Sequence, residues 1–427
     1  MTTFTQTPER AADFTGAIGV NIHLGHPGYG PATILSEMTY LGLSAVRQHA
    51  IGPDSPPSQV ASFGQLAAGG LKFDWLTGGD LTPTLKDLDA FLTAHPGAVS
   101  TIEGPNEVNN FPFRYDGLTG TAAAIAYQKT LYSRVKADPL TASIPVLDFT
   151  DSPLPATAPC DAANIHFYPR GGREPMSLLA AAEASVQSLM PGKPLYVTEA
   201  GYDSLPAQGV DPGTQAKLTL NLLMDAAKLG LSATYLYDLT DDGADPTGAN
   251  AGDHFGLFTA DGQAKPAAAA LHNLTSVLSD PGAAANGFAP SSLSYALNGM
   301  PASGKSLAIE NSSGVYDVVL WAEPSIWDPL SHTPIPAPTE SVTVSFAAKF
   351  AQVSVYDPMK ASSPLSTASD AGAVTVGLSD HPLVIQVSNF VQALAGFAQP
   401  SSSGLGAGIP PQTDANVPSL LSSRRGS

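Results

Sequence analysis

The sequence has one cysteine, Cys160, and few charged residues. A single cysteine excludes an internal disulfide and any metal site built from several cysteines. Charged residues make up only 13% of the 427 residues, while glycine (40) and proline (38) are frequent, which argues against a coiled coil or a charged disordered chain. No uninterrupted apolar run is long enough to span a bilayer. We therefore expect a loop-rich globular protein whose length allows two domains.

Basic residues are scarce as well. The chain has 19 Lys and Arg against 37 Asp and Glu, so its formal net charge is −18. A protein that binds nucleic acid normally carries a basic patch, and the sequence shows none. An anionic membrane surface is disfavoured for the same reason. The expected partner is therefore a neutral one, and carbohydrate is the obvious neutral polymer.

Eight short apolar runs in about the first 280 residues are typical of buried parallel strands. Amphipathic segments lie between most of them, such as "PATILSEMTYLG", which has proline at the helix start and glycine at its end. Repeated strand-then-helix units predict a (β/α)₈ TIM barrel, assigned to residues 1–283. A doubly wound sheet is disfavoured because no glycine-rich fingerprint follows the first strand. The runs span residues 17–22, 44–48, 71–76, 100–104, 144–149, 163–168, 194–199 and 233–239.

The pattern changes after the barrel. Segments such as "SLSYALNG", "VYDVVLWAE" and "PLVIQVSN" alternate apolar and polar residues and are separated by turn residues. They predict a small antiparallel β-sandwich over residues 284–395. The remaining residues, 396–427, are rich in Ser, Pro and Gly, and are predicted to be disordered or a linker.

The N-terminal "MTTFTQTPERAADFTG" lacks the basic region and apolar stretch of a signal peptide. This start predicts either a cytoplasmic protein or one whose signal peptide has been removed. The low cysteine content and the appended sandwich favour a secreted or periplasmic protein.

Two carboxylates stand out at the ends of barrel strands, Glu107 after strand four and Glu199 at the end of strand seven. Barrel enzymes place catalytic groups at these C-terminal ends, and strands four and seven lie on opposite sides of the mouth. The two groups can therefore face each other. Retaining glycoside hydrolysis needs such a pair, one carboxyl to protonate the leaving oxygen and one to attack, roughly 5–5.5 Å apart.

Other polar residues at the strand ends suit supporting roles. Asn106 is expected to bind a sugar 2-hydroxyl, and Arg47 to keep the nucleophile ionised, because a nearby cation lowers the pKa of a carboxyl group. His166 and Tyr168 are expected to position the two carboxylates. The further predicted substrate-binding residues are His23, Tyr202, Tyr237, Asp238 and Phe111.

The segment "NNFPFRYDGL" (109–118) follows the predicted acid and is rich in aromatic residues. Phe111, Phe113 and Tyr115 could form a stacking platform for sugar rings, whose apolar faces suit aromatic planes. The alternative is that they pack the loop onto the barrel.

"GPNE" after strand four and "TEAGY" at strand seven resemble the acid/base and nucleophile motifs of clan A glycoside hydrolases, which are retaining (β/α)₈ enzymes. Arg47 and "NIHFYP" on strand six are part of the resemblance. It implies that Glu107 is the acid/base, that Glu199 is the nucleophile, and that no metal or organic cofactor is used. The expected activity is cleavage of O-glycosidic bonds in a poly- or oligosaccharide by double displacement.

A sandwich after the barrel is similar to family 39 and its neighbours, which include xylosidases and bacterial exopolysaccharide endoglycosidases. The segment "DHFGLFTADGQAKPAAAALHNL" (253–274) is similar to the exit of strand eight in several such families. One departure is that many members have Trp at the end of strand eight, where this chain has Tyr237 and Asp238. The departure leaves the sugar undetermined.

Other interpretations stay open at this point. Glu107 and Glu199 could each cap a helix. Glu103 competes as the acid, although its deeper position in strand four predicts an ion pair with a cation such as Arg47. His166 could be a hydrogen-bonded core residue.

Two rival functions also remain. A metal-dependent hydrolase would use His23, His26, His166 and Asp238 as ligands, but the spacing of the first two and the lack of His on strand five fit poorly. A barrel that binds sugar without catalysis is the other rival, and the presence of both Glu residues argues against it.

Overall fold

A computed structural model of the chain describes residues 2–25, 30–150, 158–245 and 247–393. The segment 396–427, predicted to be disordered, and His26 lie outside these residues. Within them, the predicted (β/α)₈ barrel followed by an antiparallel β-sandwich is confirmed.

All eight predicted barrel strands are present and pair in parallel. The sheet runs from strand six through seven, eight, one, two, three and four to strand five. The amide of Asp148 donates to the carbonyl of Ala162 (3.1 Å), which joins strand five to the approach of strand six and brings the barrel close to closure. The strands are almost wholly buried because helices cover the sheet, which is why their sequences are apolar runs. They are Ile18–Asn21, Ala45–His49, Lys72–Leu76, Val99–Glu103, Val146–Leu147, Ala163–Phe167, Leu195–Ala200 and Ala233–Leu236.

Helices connect most of the strands, and the predicted helix "PATILSEMTYLG" is the first of these connections. Pro31 begins the first connecting helix, and Gly42 ends it with φ 68°, a conformation that glycine adopts without strain. The helix Pro57–Ala68 was not singled out by the sequence, and between strands five and six the described part of the chain contains no helix. The helices are Ala11–Gly16, Pro31–Leu41, Pro57–Ala68, Leu81–Ala94, Gly120–Ala137, Pro175–Leu189, Pro212–Lys228 and Pro266–Val277. None of the described helices has the length and apolar character needed to cross a membrane.

The second domain is built from antiparallel strands around its own apolar core. The long strand Glu340–Tyr356 pairs with three others, and shifts in its register occur between Ser345 and Phe350. The remaining long strands are Leu293–Asn298, Gly304–Glu310, Tyr316–Ala322, Ser366–Leu378 and Leu383–Ala393, and a small hairpin pairs Trp327–Asp328 with Thr333–Pro334.

The N-terminal residues join this second domain. Strand Thr2–Gln6 pairs antiparallel with Leu293–Asn298, and Glu9–Arg10 pairs in parallel with Gly304–Glu310. These two segments fall within the predicted barrel range, 1–283. Their pairing with strands about 300 residues away cannot be recognised from neighbouring residues in the sequence. The division between residues 283 and 284 itself stays a prediction.

Candidate active site

The C-terminal ends of the barrel strands surround a cleft of about 650 Å³. Nearly all of the predicted site residues come together here, because parallel strands present their C-terminal ends at the same face of the barrel. The predicted residues that line the cleft are His23, Arg47, Asn106, Glu107, Phe111, Tyr168, Glu199, Tyr202 and Tyr237.

Glu107 and Glu199 face each other across this cleft. A carboxylate oxygen of one lies within 4.8 Å of a carboxylate oxygen of the other. Strand four ends at Glu103, and Gly104 follows. Only glycine fits there, because a Cβ atom at this position would lie 2.1 Å from Gln128 Oε1. Glu107 itself has φ 39°, a strained conformation for a residue with a side chain, and its amide donates to Thr150 Oγ1 (2.7 Å). The chain is thus turned so that the carboxylate enters the cleft.

Glu199 accepts hydrogen bonds from two donors. Arg47 Nη1 donates to Oε1 (2.6 Å), and the Tyr168 hydroxyl donates to Oε2 (2.6 Å). Burial, and next the charge of Glu199, raise the pKa of Tyr168 well above its ordinary value, so Tyr168 keeps its proton and remains a donor. Glu199 is only 8% exposed, so these contacts act in a desolvated environment.

Glu107 has different partners. His166 Nδ1 lies 2.7 Å from Oε1, and Asn110 Nδ2 donates to Oε2 (2.9 Å). The hydrogen bond from His166, against the opposing effect of burial, lowers the pKa of Glu107 to about 2. The other ring nitrogen, Nε2, faces Arg47 Nη2 at 3.5 Å. A carboxylate oxygen only accepts, so the proton of the hydrogen bond between Nδ1 and Oε1 lies on Nδ1, toward Glu107.

Arg47 joins several side chains beneath the cleft. It is 3% exposed and donates to Glu103 through Nε (2.6 Å) and Nη2 (2.8 Å), which confirms the expected ion pair. It also donates to Asn21 Oδ1 (2.9 Å) and Asn106 Oδ1 (2.7 Å). The Asn106 carbonyl is therefore occupied, and its NH₂ group is the part that can bind a sugar hydroxyl. Glu103 is completely buried and does not line the cleft, which disfavours it as the acid.

The aromatic loop after strand four divides between the two expected roles. Phe111 is 57% exposed and lines the cleft. Phe113 and Tyr115 instead pack edge-on against Tyr127 of the next helix, with ring centroids 5.4 and 5.1 Å apart. Only Phe111 is therefore placed as a stacking surface.

Comparison with known proteins gives no match to a family model and no match among curated sequences. Solved structures do match. A family 39 glycoside hydrolase from Bacteroides cellulosilyticus WH2 aligns with TM-score 0.60 and 17% identity over 90% of this chain and 83% of that one. A glucosidase from Croceicoccus marinus gives TM-score 0.61 and 13% identity over 90% and 97%. A family 39 β-xylosidase from Caulobacter crescentus gives TM-score 0.55 and 15% identity over 90% and 98%.

The chain has the fold of the family 39 glycoside hydrolases. Each of these three alignments covers barrel and sandwich together. The resemblance to clan A that the motifs implied is confirmed at the level of the fold.

Aromatic side chains line the cleft beside Glu199. Tyr237 occupies the end of strand eight, and its ring meets Phe255 and Tyr168 edge-on, with centroids 5.7 and 6.2 Å away. The sequence did not single out Phe255, although it lies in the quoted "DHFGLF" segment. His49 and Gln48 at the end of strand two also line the cleft and were not predicted. Burial, and next the charge of Arg47, lower the pKa of His49.

Two predicted substrate-binding residues have other positions. Asp238 is completely buried and is not among the described residues that line the cleft. Burial, and next the charge of Asp242, raise its pKa well above the ordinary value. Tyr202 lines the cleft but is only 4% exposed, and its hydroxyl donates to the carbonyl of Arg173 (2.9 Å). Its hydroxyl therefore holds a loop rather than substrate.

The residues required by the metal-dependent alternative fall into two separate groups. His23 Nδ1 lies 2.6 Å from Asp242 Oδ1 and 3.6 Å from Asp238 Oδ2, whereas His166 lies with Glu107 and Glu199. Each group alone could offer three ligand atoms, but His23 and Asp238 belong to one group and His166 to the other. His26 lies outside the described residues.

Proposed function

We propose that this protein is a retaining glycoside hydrolase in which Glu199 is the nucleophile and Glu107 the acid/base. The observation that carries the proposal is the approach of the two carboxylates to within 4.8 Å. Retaining enzymes hold the pair roughly 5–5.5 Å apart, and inverting enzymes roughly 6.5–9.5 Å apart to admit a water molecule. The fold shared with family 39 enzymes supports the same activity.

In the first step, Glu199 attacks the anomeric carbon and the bond to the leaving oxygen breaks. Glu107, in its protonated form, transfers its proton to that oxygen, and a glycosyl ester forms on Glu199. Arg47 and Tyr168 orient the attacking carboxylate through its two oxygens. In the second step, Glu107 takes a proton from water, the water attacks the anomeric carbon, and Glu199 leaves as a carboxylate.

The proposed substrate is a poly- or oligosaccharide, as the net charge and the exposed ring of Phe111 suggest. An endo-acting hydrolase of a bacterial exopolysaccharide or plant glycan, outside the cytoplasm, fits the sequence. Arg170 at the cleft keeps an acidic glycan among the candidates. Two of the proteins with this fold are a β-xylosidase and a glucosidase, so β-xylosides and glucosides are the first probes to use.

The test is hydrolysis of aryl glycosides and a polysaccharide panel by the wild type and Glu199→Gln, with and without a chelator. We expect wild-type activity to survive the chelator and the variant to lose about 10⁴-fold or more in kcat, since removal of a nucleophile costs losses of this order. NMR of the first product should show retained anomeric configuration.

Glu340→Gln, a change at an exposed residue of the sandwich, is the control and should behave as wild type. Undiminished activity of Glu199→Gln would disprove the assignment of the nucleophile. Activity abolished by the chelator would favour the metal-dependent alternative, and sugar binding without turnover would favour the non-catalytic one.

A further inference from the structure

Three carboxyl groups approach the single guanidinium of Arg47 beneath the cleft. Glu103 binds Nε and Nη2, Glu199 binds Nη1, and Asp74 Oδ2 lies 3.9 Å from Nε. All four side chains are at most 10% exposed. Three ionised carboxylates around one buried cation would leave a large uncompensated charge, so their protonation states must differ.

Asp74 is the neutral member of this cluster. Thr101 Oγ1 donates to its Oδ1 (2.7 Å), and its Oδ2 lies 3.9 Å from Arg47 Nε. Burial, and next the charge of Glu103, raise the pKa of Asp74 well above its ordinary value. Burial would also raise the pKa of Glu103, but the charge and hydrogen bonds of Arg47 outweigh it and lower that pKa. The guanidinium of Arg47 is thus shared between Glu103 and Glu199.

Glu103 takes two parallel hydrogen bonds from the guanidinium, the geometry that best fixes the plane of an arginine. Its occupation of Nε and Nη2 leaves a single bond, from Nη1, for Glu199. Thr198 Oγ1 lies 3.4 Å from Glu103 Oε1 and donates to Asn164 Oδ1 (2.7 Å), so side chains of strands two and seven lie against the carboxylate of strand four.

We propose that Glu103 is a positioning residue that fixes the guanidinium plane of Arg47 and neutralises part of its charge, so that Glu199 is oriented without being over-stabilised as an anion. An unshared Arg47 would pair fully with Glu199 and make it a weaker nucleophile. The expected kinetic effect rests on the proposed function. The expected effect of Glu103 on the titration of Glu199 does not depend on catalysis.

Other groups around Glu199 remain the same when only Glu103 is changed. Each charged or titratable neighbour must nevertheless be considered, because any of them contributes to the titration of Glu199. Those neighbours are Arg47 and His49 from strand two, Asp74 from strand three, Glu103 and Glu107 from strand four, His166 and Tyr168 from strand six, and Tyr237 from strand eight.

The experiment is a ¹³C NMR titration of the Glu199 carboxyl carbon in glutamate-labelled full-length protein, with the signal assigned by its loss in Glu199→Gln. In Glu103→Gln, the titration midpoint should move to lower pH by about one unit or more, because a negative neighbour is lost and Arg47 then acts on Glu199 alone. The same variant should lose about 10–100-fold in kcat on an aryl glycoside, with KM within about twofold of wild type.

Two variants separate charge from geometry. Glu103→Asp keeps the charge but shortens the side chain, so the midpoint should return to that of wild type while kcat stays low. Asp317→Asn is the matched control, since Asp317 is a buried carboxyl group of the sandwich that accepts from Gln386 (3.0 Å), and it should change neither quantity.

An unmoved midpoint in folded Glu103→Gln would overturn the proposal. If that variant does not fold, a midpoint in Glu103→Asp that lies at lower pH than in wild type would overturn it instead. The titration needs no turnover, so a protein without glycosidase activity but with the expected movement would contradict the proposed function and leave the electrostatic role of Glu103 supported.

Discussion

His166 controls the protonation state of Glu107. Its Nδ1–H bond to Oε1 is the largest cause that lowers the pKa of Glu107 to about 2, so Glu107 is a carboxylate before substrate binds. A general acid must be protonated at the moment the glycosidic bond breaks. The protonated form therefore has to be taken from solvent, and it becomes scarcer as the pH rises above the pKa of Glu107.

Replacing His166 by Ala should therefore raise the pKa of Glu107 toward its ordinary value, because a hydrogen bond to the charged form is lost. The alkaline limb of kcat/KM for glycosides with poor leaving groups should move to higher pH by about one unit or more. The measurement is the pH–rate profile of wild type and variant, although the absolute rate should fall because His166 also lies 3.4 Å from Glu199.

Glu107→Gln is the companion of this test. It should remove the dependence on Glu107 protonation and slow poor leaving groups far more than nitrophenyl glycosides, whose departure needs no acid. An alkaline limb that stays in place in His166→Ala would mean that another group supplies the proton.

The loop after strand six brings the two domains together at the cleft. Arg170, Gly171 and Gly172 line the cleft, and both glycines have left-handed φ values, 69° and 64°. Trp327 of the small sandwich hairpin packs directly on Gly172, so that a Cβ atom there would lie 2.6 Å from the Trp327 Cβ and Cδ1 atoms. The sandwich thus helps to shape one wall of the cleft.

Gly172→Ala should loosen this contact. The substitution combines a left-handed conformation, costing about 1–2 kcal/mol, with a collision that costs about 1–3 kcal/mol more. Gly192→Ala is the matched control because Gly192 has φ 73° but nothing within 4 Å of an added Cβ atom. Urea unfolding should show a larger loss for Gly172→Ala, together with a higher KM for long glycans. Equal losses of unfolding free energy in the two variants would mean that Trp327 moves aside without destabilising the protein.

At the scale of the whole molecule, helix Pro212–Lys228 lies between the two domains. Trp321 Nε1 of the sandwich donates to Asp225 Oδ1 (2.8 Å), and Lys217 Nζ lies 2.7 Å from Asp380 Oδ2. Burial and the neighbouring carboxylate of Glu323 raise the pKa of Asp225 to about 9. Glu174, at the same interface, has its pKa raised to about 8 by burial and then by the charge of Glu323.

These raised pKa values predict that the protein loses stability at alkaline pH. A carboxyl group whose pKa is higher in the folded state than in the unfolded state stabilises the fold at low pH. This contribution is complete below the unfolded pKa, near 4, and is lost as the pH rises through the folded pKa, here about 8 to 9. Each such group reduces the free energy of unfolding by about 1.4 kcal/mol per pH unit between the two pKa values. Urea unfolding at pH 5, 7 and 9 measures this slope.

Asp225→Asn should flatten that slope, since the amide keeps the bond from Trp321 but cannot ionise. Buried carboxyl groups elsewhere, such as Asp148 with its pKa raised to about 8, will leave part of the slope in place. A slope identical in wild type and variant would show that Asp225 does not ionise on unfolding in this range.

The barrel strands, and the positions of Glu107 and Glu199 at strand ends, could be predicted from the sequence. A strand covered on both faces must be apolar throughout, so each run was visible locally, and Glu107 and Glu199 follow from their positions at strand ends. Helix Pro57–Ala68 escaped notice because only Phe63 and Leu66 of it are buried, too few to make a clear apolar stripe.

Which side chains meet could not be predicted in this way and is known from the folded structure. In the fold, His166 contacts Glu107 and Tyr168 contacts Glu199. Phe111 lines the cleft, whereas Phe113 packs against a barrel helix. Asp238 is completely buried. The N-terminal strand Thr2–Gln6 also pairs with the sandwich instead of the barrel. The physical reason is the same in each case. Strand and helix periodicity is written in neighbouring residues, whereas hydrogen-bond partners, pKa values and long-range pairing depend on groups far apart in the chain that only folding brings together.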